Sequence, residues 1–231
     1  MTVNSLSIKL SNRVGDKVAG GTTDGKRFTS SQRLEALNAA TRWTVSAILG
    51  RSTPTRKAHE LLNELIKKTT KSLNTSGTSL TDLRCAANGV LYVAPEISGE
   101  RRPAVERRVD ELQAIRNQYL RGSDDDPTYY IMDGKLYLEI TVGSYPVLTD
   151  IHYVEIPKEL VNIGETISTT ATFPLNDLLA EPVLTAAEAH LYKETYDFDR
   201  VETGRKMFTF QIDELVHGAQ ADEDTLGGVE K

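Results

Sequence analysis

The stretch PTYYIMDGKLYLEIT, residues 127–141, constrains the fold more than any other part of this chain. Asp133-Gly134 is a dipeptide preferred in two-residue type I′ turns, because both central residues of such a turn need positive φ. Pairing the residues outward from this turn places Tyr130 opposite Tyr137. A β-hairpin alone is only marginally stable in water. The chain must therefore cover one face of this hairpin with further structure.

The two predicted faces of the hairpin differ in polarity. On one face the Tyr130–Tyr137 pair lies beside Lys135 and Glu139, and such aromatic pairs contribute roughly 0.2–1 kcal/mol. The opposite face is predicted to be buried and carries Tyr129, Ile131, Leu136 and Leu138. We predict residues 147–157, VLTDIHYVEIP, as the third strand of this small sheet.

Helical patterns flank the hairpin on both sides. The first helix begins near Thr29, because Thr29 and Gln32 fit a capping box, and Gly50 is a natural stop. A second helix is predicted over 53–73 and a third over 103–119, each with apolar residues at helical spacing. Two closing helices are predicted from apolar positions at Val183, Leu184, Ala187 and Leu191, and at Val201, Gly204, Phe208, Ile212 and Leu215.

The two ends of the chain are predicted to be extended. Leu6, Ile8 and Leu10 alternate with polar residues, which indicates a short strand that needs a partner in this chain or in a neighbour. Residues 218–231 are polar and acidic, a composition typical of disorder, and we expect a partner to hold them. Leu226 is the apolar residue of this tail that we expect at such a contact.

These patterns predict an α+β fold in which a helical bundle carries an inserted small antiparallel β-subdomain. The hairpin and the third strand form the subdomain, and both termini are extended. The predicted parts are an N-terminal arm, a helical part, the β-subdomain, the C-terminal helices and an acidic tail, at 1–27, 28–122, 123–175, 176–217 and 218–231.

Composition disfavours several classes of function. The net charge of −6 over 231 residues disfavours stable binding to nucleic acid phosphates, because such surfaces are normally basic. One cysteine, Cys85, cannot form an intramolecular disulfide or a multi-thiolate zinc site. We find no signal peptide pattern and no apolar stretch long enough to span a membrane.

Residues with catalytic or ligating chemistry lack the spacing that such chemistry needs. The four histidines are scattered, and no phosphate-binding glycine loop or nucleophile motif is present in the sequence. Asp124 to Asp126, with Glu139, could bind a cation, but a solvated turn before Pro127 is favoured. The four arginines in residues 99–111, GERRPAVERRVDE, are interleaved with glutamates, which favours a salt-bridged face over a phosphate site. We therefore expect no enzymatic activity, cofactor or metal.

The order of these pieces resembles the head-to-tail adaptor, or connector, proteins of tailed bacteriophages, especially short-tailed ones. Residues 26–49 are similar to the opening helix of that family, and residues 109–140 to its passage from a helix into a proline-led Tyr-Tyr hairpin. Residues 149–160 resemble the following strand, which ends in Tyr-x-x-x-Pro. Residues 183–215 resemble its two closing helices, first alanine-rich and then amphipathic.

The resemblance implies a structural virion protein without catalytic residues. Such a protein forms a homo-oligomeric ring, expected to be dodecameric, in the neck between capsid portal and tail, after assembly in the host cytoplasm. It implies the portal protein and a downstream tail or nozzle protein as partners, with genomic DNA passing through the lumen without sequence-specific binding and no membrane. An acidic ring would repel the DNA backbone. We expect Tyr130 and Tyr137 near a subunit or partner contact, with Leu6, Ile8, Leu10 and Leu226 as further candidate contacts.

Two alternatives stay open at this point. The first is a head-closure or tail-completion protein in an adjacent layer of the neck. The second is a nucleic-acid-binding regulatory protein that uses the basic residues within 51–71 and 101–108.

Overall fold

A computed structural model describes most of the chain, and within the described residues the fold is α+β. The chain divides into a helical unit, Met1–Leu65 with Pro157–Lys231, and a β unit, Ile66–Ile156. The described residues are 1–15, 28–51, 56–108, 122–141, 145–160, 162–163, 166–167 and 172–217.

The secondary structure elements alternate in blocks along the chain. The helices are α1 Val3–Arg13, α2 Ser30–Arg51, α3 Arg56–Leu62, α4 Ala180–Glu194 and α5 Phe198–His217. The strands are β1 Ile66–Leu73, β2 Thr78–Ser79, β3 Cys85–Ile97, β4 Glu100–Arg101, β5 Val105–Glu106, β6 Thr128–Met132, β7 Lys135–Glu139, β8 Val147–Glu155, β9 Asn162–Ile163 and β10 Thr166–Ile167. Short 3-10 turns cover Asn63–Leu65 and Asp177–Leu179.

Helix α4 is the centre of the helical unit. It packs against α1, α2 and α5, which explains why it is apolar around most of its circumference. The predicted apolar positions of α4 are all completely buried, namely Val183, Leu184, Ala187 and Leu191. The predicted capping box at the start of α2 is confirmed, because Thr29 N donates to Gln32 Oε1 at 2.8 Å and Gln32 N donates to Thr29 Oγ1 at 3.2 Å.

Two close contacts fix α4, α5 and α2 together. A Cβ added at Gly204 of α5 would lie 2.9 Å from Ala189 Cβ of α4, so glycine allows these helices to approach closely. The Phe208 ring of α5 stacks on Trp43 of α2, with ring centroids 4.2 Å apart. Phe208 is buried, whereas Trp43 keeps one side open to solvent.

The prediction of an N-terminal strand was wrong, because this segment forms helix α1. Thr2 caps the helix by accepting a hydrogen bond from Ser5 N at 3.3 Å. Apolar residues at positions 3, 6, 10 and 14 follow a helical period and all four are buried. The alternation at positions 6, 8 and 10 was therefore only a part of this longer helical pattern.

The β unit contains two sheets of four strands each within the described residues. The strand order is β1-β8-β3-β4 in the first sheet and β2-β7-β6-β5 in the second. All pairings are antiparallel except that of β5 with β6. One apolar core serves both sheets, and its most buried members are Leu73, Val93, Leu136 and Ile151.

The hairpin prediction is confirmed residue by residue. Met132 pairs with Lys135, Tyr130 with Tyr137, and Thr128 with Glu139. Asp133 and Gly134 both have positive φ, as a type I′ turn requires. The face predicted to be buried faces the core, with Tyr129, Leu136 and Leu138 each at most 5% exposed and Ile131 packed beside them.

The predicted third strand exists as β8 but belongs to the other sheet. It lies between β1 and β3. It pairs with β1 over eight residues and with β3 over most of its length. The second sheet instead extends the hairpin through β2 on one side and β5 on the other. Sequence order misled the prediction because β1 and β3 precede the hairpin by many residues.

The second predicted helix is only partly correct. Residues 56–62 are helical as α3, but 66–73 form strand β1 in place of the predicted helical continuation. The sequence IKKTTKSL contains β-branched residues at positions 66, 69 and 70, which favour a strand. The hydrogen-bonded ladder with β8 then stabilises the strand over a helix.

The predicted helix at 103–119 and the predicted domain boundaries also change. Its described start forms strand β5, Val105–Glu106, and residues 109–121 lie outside the described part. The β unit consequently begins at Ile66 and ends at Ile156, in place of the predicted limits of 123 and 175. The segment predicted as one helical part, 28–122, thus contributes to both units.

Candidate functional site: surfaces for assembly

The predicted tyrosine pair lies on the open face of the hairpin. The Tyr130 and Tyr137 rings stack with centroids 5.0 Å apart and an interplanar angle of 8°. Both side chains are half-buried. Partial burial, the Glu139 carboxylate and the neighbouring Tyr137 raise the pKa of Tyr130 above its ordinary value, in that order of importance. The pair therefore presents a flat, partly accessible aromatic surface.

The other predicted contact residues differ in exposure. Leu6 and Leu10 are completely buried in the core of the helical unit, so neither side chain is accessible in this structure. Ile8 lies on the outer side of α1 and is 54% exposed, which keeps it accessible. Leu226 falls in 218–231, outside the described residues.

The structure reveals an aromatic surface that the sequence analysis missed. The turn between α4 and α5 carries Tyr196 and Phe198, which are 80% and 63% exposed. Their rings meet edge to face with centroids 6.2 Å apart. The signal in the sequence was the run YDFD, residues 196–199, which places two aromatic residues at a break between helices. We call Tyr196–Asp199 the aromatic tip.

A groove lies on the helical unit between α2, α4 and α5. Its volume is about 400 Å³, within the range of sites that hold a small molecule or a few side chains. Alanines and Trp43 line it, together with the exposed residues Lys193 and Arg205. We call this the alanine groove, defined by Ala39, Trp43, Ala186, Ala189, Lys193 and Arg205.

The outer face of the first sheet of the β unit carries a charged cluster. Asp150 accepts a hydrogen bond from Thr70 at 2.6 Å and lies 3.0 Å from Lys68 and 3.6 Å from Arg101. The Thr70 hydrogen bond and the Lys68 ammonium lower the pKa of Asp150 below its usual value. Tyr92 and His152 lie together on this face with ring centroids 5.2 Å apart. The charged side chains of this cluster are therefore partners of one another.

The residues of the candidate cation site, Asp124–Asp126, form hydrogen bonds with other parts of the protein. Arg102 donates to Asp125 Oδ1 and to Asp124 O, each at 2.8 Å, and Asp126 N donates to Ser123 Oγ at 3.0 Å. Among the described residues, no group of three or more His, Cys, Asp or Glu side chains is arranged to hold a metal ion. Backbone atoms of Asp124 and Asp126 and the Asp125 carboxylate thus form the hydrogen bonds of this turn.

Cys85 is a half-buried thiol that donates weakly to Ala86 O at 3.3 Å. Burial raises its pKa to about 11, partly offset by a hydrogen bond from the Gly89 backbone. The sulfur therefore stays protonated near neutral pH and is a poor nucleophile, as expected of a packing residue.

Comparison with known proteins assigns no function to these surfaces. None of the described helices has both the length and the apolar character to cross a bilayer. The chain matches no protein-family model, and it matches no curated protein.

Proposed function

We propose that this protein is a structural virion component that forms an oligomeric ring on the portal, extends the DNA channel and provides the platform for tail attachment. The observation that carries the proposal is the order of four elements along the chain. Helix α2, strand β8 before Pro157 and the α4–α5 pair lie in three of the four segments on which the resemblance rests, and the Tyr-Tyr hairpin forms the end of the other segment, 109–140, of which 109–121 lie outside the described residues. The ordered set supports the proposal more than any one element does.

The distribution of apolar side chains supports an assembling protein. Single exposed apolar residues are ordinary on soluble proteins, whereas clustered ones favour an interaction surface. The aromatic tip exposes two adjacent rings, and Met207 and Phe210 are 53% and 67% exposed one helical turn apart on α5. In the β unit, the stacked tyrosine pair is half-buried and therefore partly accessible.

The decisive experiment is imaging and mass measurement of the purified chain, alone and mixed with the cognate portal protein. We expect rings with cyclic symmetry that sit on the portal, seen by negative-stain electron microscopy and native mass spectrometry. A chain that stays monomeric under both conditions contradicts the proposal. The position of the ring in a neck assembly separates the adaptor from a head-closure or tail-completion protein.

Replacing both Tyr130 and Tyr137 with Ser should weaken assembly more than it weakens folding. The pair lies on the open face of the hairpin, so its loss removes roughly 0.2–1 kcal/mol of cross-strand stabilisation from the fold. The matched control is Tyr92→Ser, which removes a 38% exposed tyrosine from the other sheet. If the double variant forms rings as readily as the control, this face takes no part in assembly.

A second candidate function, nucleic acid binding, is favoured by one observation. On edge strand β1, Lys67 and Lys71 are exposed and, among the described residues, neither forms an ion pair, whereas Lys68 is 3.0 Å from Asp150. Their position four residues apart on a strand places them on one face.

Removing these two lysines gives a quantitative test of that candidate. If both contact phosphates, Lys67→Gln with Lys71→Gln should reduce the slope of log K against log[salt] by about 1.8. Fluorescence anisotropy with labelled duplex DNA measures this slope. Lys68→Gln is the control and should change it less, because Asp150 already neutralises Lys68. An unchanged slope in the double variant rejects phosphate contact at β1.

A further inference from the structure

The aromatic tip and the alanine groove are complementary surfaces on the same chain. We propose that the aromatic tip of one copy inserts into the alanine groove of a second copy and forms the contact between neighbouring subunits. This inference rests on the proposed function for its occupant, a second copy of this chain. It goes further by naming the residues on both sides of the contact.

The conformation of the tip is unfavourable for the residue that occupies it. Tyr196 has φ +59° at the position just after α4, where glycine is favoured because it has no Cβ. The chain nevertheless places there a large side chain that is 80% exposed. Nothing in the described part of the helical unit covers this ring. A strained backbone that holds an exposed aromatic ring favours a role in binding.

The tip is also held rigidly in this conformation. Tyr196 N donates to Lys193 O at 3.2 Å, and Asp197 N donates to Tyr192 O at 3.1 Å, which closes the end of α4. Arg200 donates to the Tyr192 hydroxyl at 2.6 Å and lies 4.7 Å from the centre of its ring. A pre-ordered tip loses little conformational entropy on binding.

The groove has the chemistry to receive such a tip. Its lining includes Ala39, Ala186 and Ala189, whose small side chains leave room for a ring. Trp43 stacks on Phe208 with one face and remains 40% exposed at the groove. An inserted Tyr or Phe can therefore pack against a second aromatic ring, in the offset or edge-to-face arrangement that such pairs prefer.

The charges of the two surfaces match. Asp199 in the tip is exposed and, within the described residues, forms no ion pair. Lys193 and Arg205 of the groove are exposed and likewise have no ion-pair partner in the described part of the chain. Complementary charges steer the encounter and fix its register. Because tip and groove are different surfaces, the contact is heterologous, a type that forms a ring when the rotation between successive copies closes.

The sole tryptophan of the chain, Trp43, reports directly on this contact. As wild-type concentration rises, its fluorescence should shift to the blue and become less sensitive to acrylamide, because the tip shields it. The tip variant Tyr196→Gly with Phe198→Ser should show neither change and should self-associate at least about tenfold more weakly. Sedimentation velocity measures the association.

The choice of glycine at 196 separates binding from folding. Glycine suits the positive φ of this position, so the tip variant should melt at the wild-type temperature or above it. The matched control is Leu178→Ser, which removes another large apolar side chain, 57% exposed, from the helical unit outside the tip and should leave the Trp43 signal unchanged. A tip variant that assembles like the wild type overturns the inference.

Charge reversal identifies the two partners. Asp199→Lys and Arg205→Glu should each weaken self-association, and the two together in one chain should restore it. If both single variants associate weakly and the double variant does too, the two residues do not contact each other, which contradicts the proposed register. Titration with the free peptide Tyr-Asp-Phe-Asp should shift the emission of Trp43 and reduce self-association. If the peptide shifts the emission but leaves self-association unchanged, the groove binds another ligand and the inference is overturned.

The failures of the two proposals are distinguishable. Rings on the portal from both wild type and tip variant leave the proposed function intact and reject the tip contact. A wild type that forms tip-dependent dimers but never rings on the portal supports the contact and rejects the proposed function. A wild type that remains monomeric at every concentration, with and without the portal, rejects both.

Discussion

Phe208→Ala should lower the stability of the helical unit by about 3–5 kcal/mol, the usual cost of removing a fully buried phenylalanine. Phe208 is 1% exposed and stacks on Trp43 at 4.2 Å, so its loss removes the contact between α5 and α2 and leaves a cavity beside the tryptophan. In a chain of this size, about 4 kcal/mol corresponds to a fall in melting temperature of about 10 °C. Urea titration followed by Trp43 fluorescence measures the change in the helical unit itself.

Phe210→Ala is the matched control for this experiment. Phe210 lies two residues further along the same helix but is 67% exposed, so its removal should change stability by less than about 0.5 kcal/mol. Both changes replace the same side chain in the same helix, which cancels their effects on helix propensity. Equal losses in the two variants would mean that Phe208 packs no more tightly than a surface residue, contrary to the structure.

Local patterns predicted those elements whose signals lie within a few residues of one another. The Asp133-Gly134 turn determines the hairpin register, and the Thr29–Gln32 capping box determines the start of α2. In each case the stabilising interactions are local. The sequence signals of α4 and α5 are also contained within each helix, because their apolar positions follow one helical period over many residues.

The predictions failed where distant pairing decides the local structure. Residues 66–73 have apolar side chains at spacings that fit a helix, but the ladder with β8, about eighty residues later, makes them a strand. Strand β8 was recognised, yet its partners β1 and β3 could not be read from its own sequence. At α1, three alternating apolar residues outweighed the longer helical period in which Val3 and Val14 take part.

The candidate surfaces show the same limit. Whether a side chain is exposed depends on the helices packed around it. Leu6 and Leu10 were therefore predicted as contacts although they are buried, and the exposed Tyr196 and Phe198 were not predicted. Tyr130 and Tyr137 were found because strand alternation assigns their face directly. The alanine groove is formed by three helices and has no signature in any one of them.

Gly122→Ala should disrupt the base of the hairpin, at a cost of about 3 kcal/mol, the upper part of the range for overpacking. A Cβ at this position would lie 2.4 Å from Glu139 O and 2.5 Å from Thr128 Oγ1, and the first of these is a backbone atom in β7. Because β7 is bonded on both sides, to β6 and β2, the strand cannot move aside without loss of these ladders. Hydrogen exchange at the amides of β6 and β7 should accelerate.

Gly134→Ala, at the other end of the same hairpin, separates crowding from backbone strain. Gly134 has φ +70° and no atom within 4 Å of an added Cβ, so alanine costs only the strain of the left-handed conformation, about 1 kcal/mol. The two glycines thus differ in cause as well as in magnitude. Restoring space by Thr128→Ala in the Gly122→Ala background should recover only part of the loss, because Glu139 O remains in place. Complete recovery would show that the backbone contact is not the limiting one.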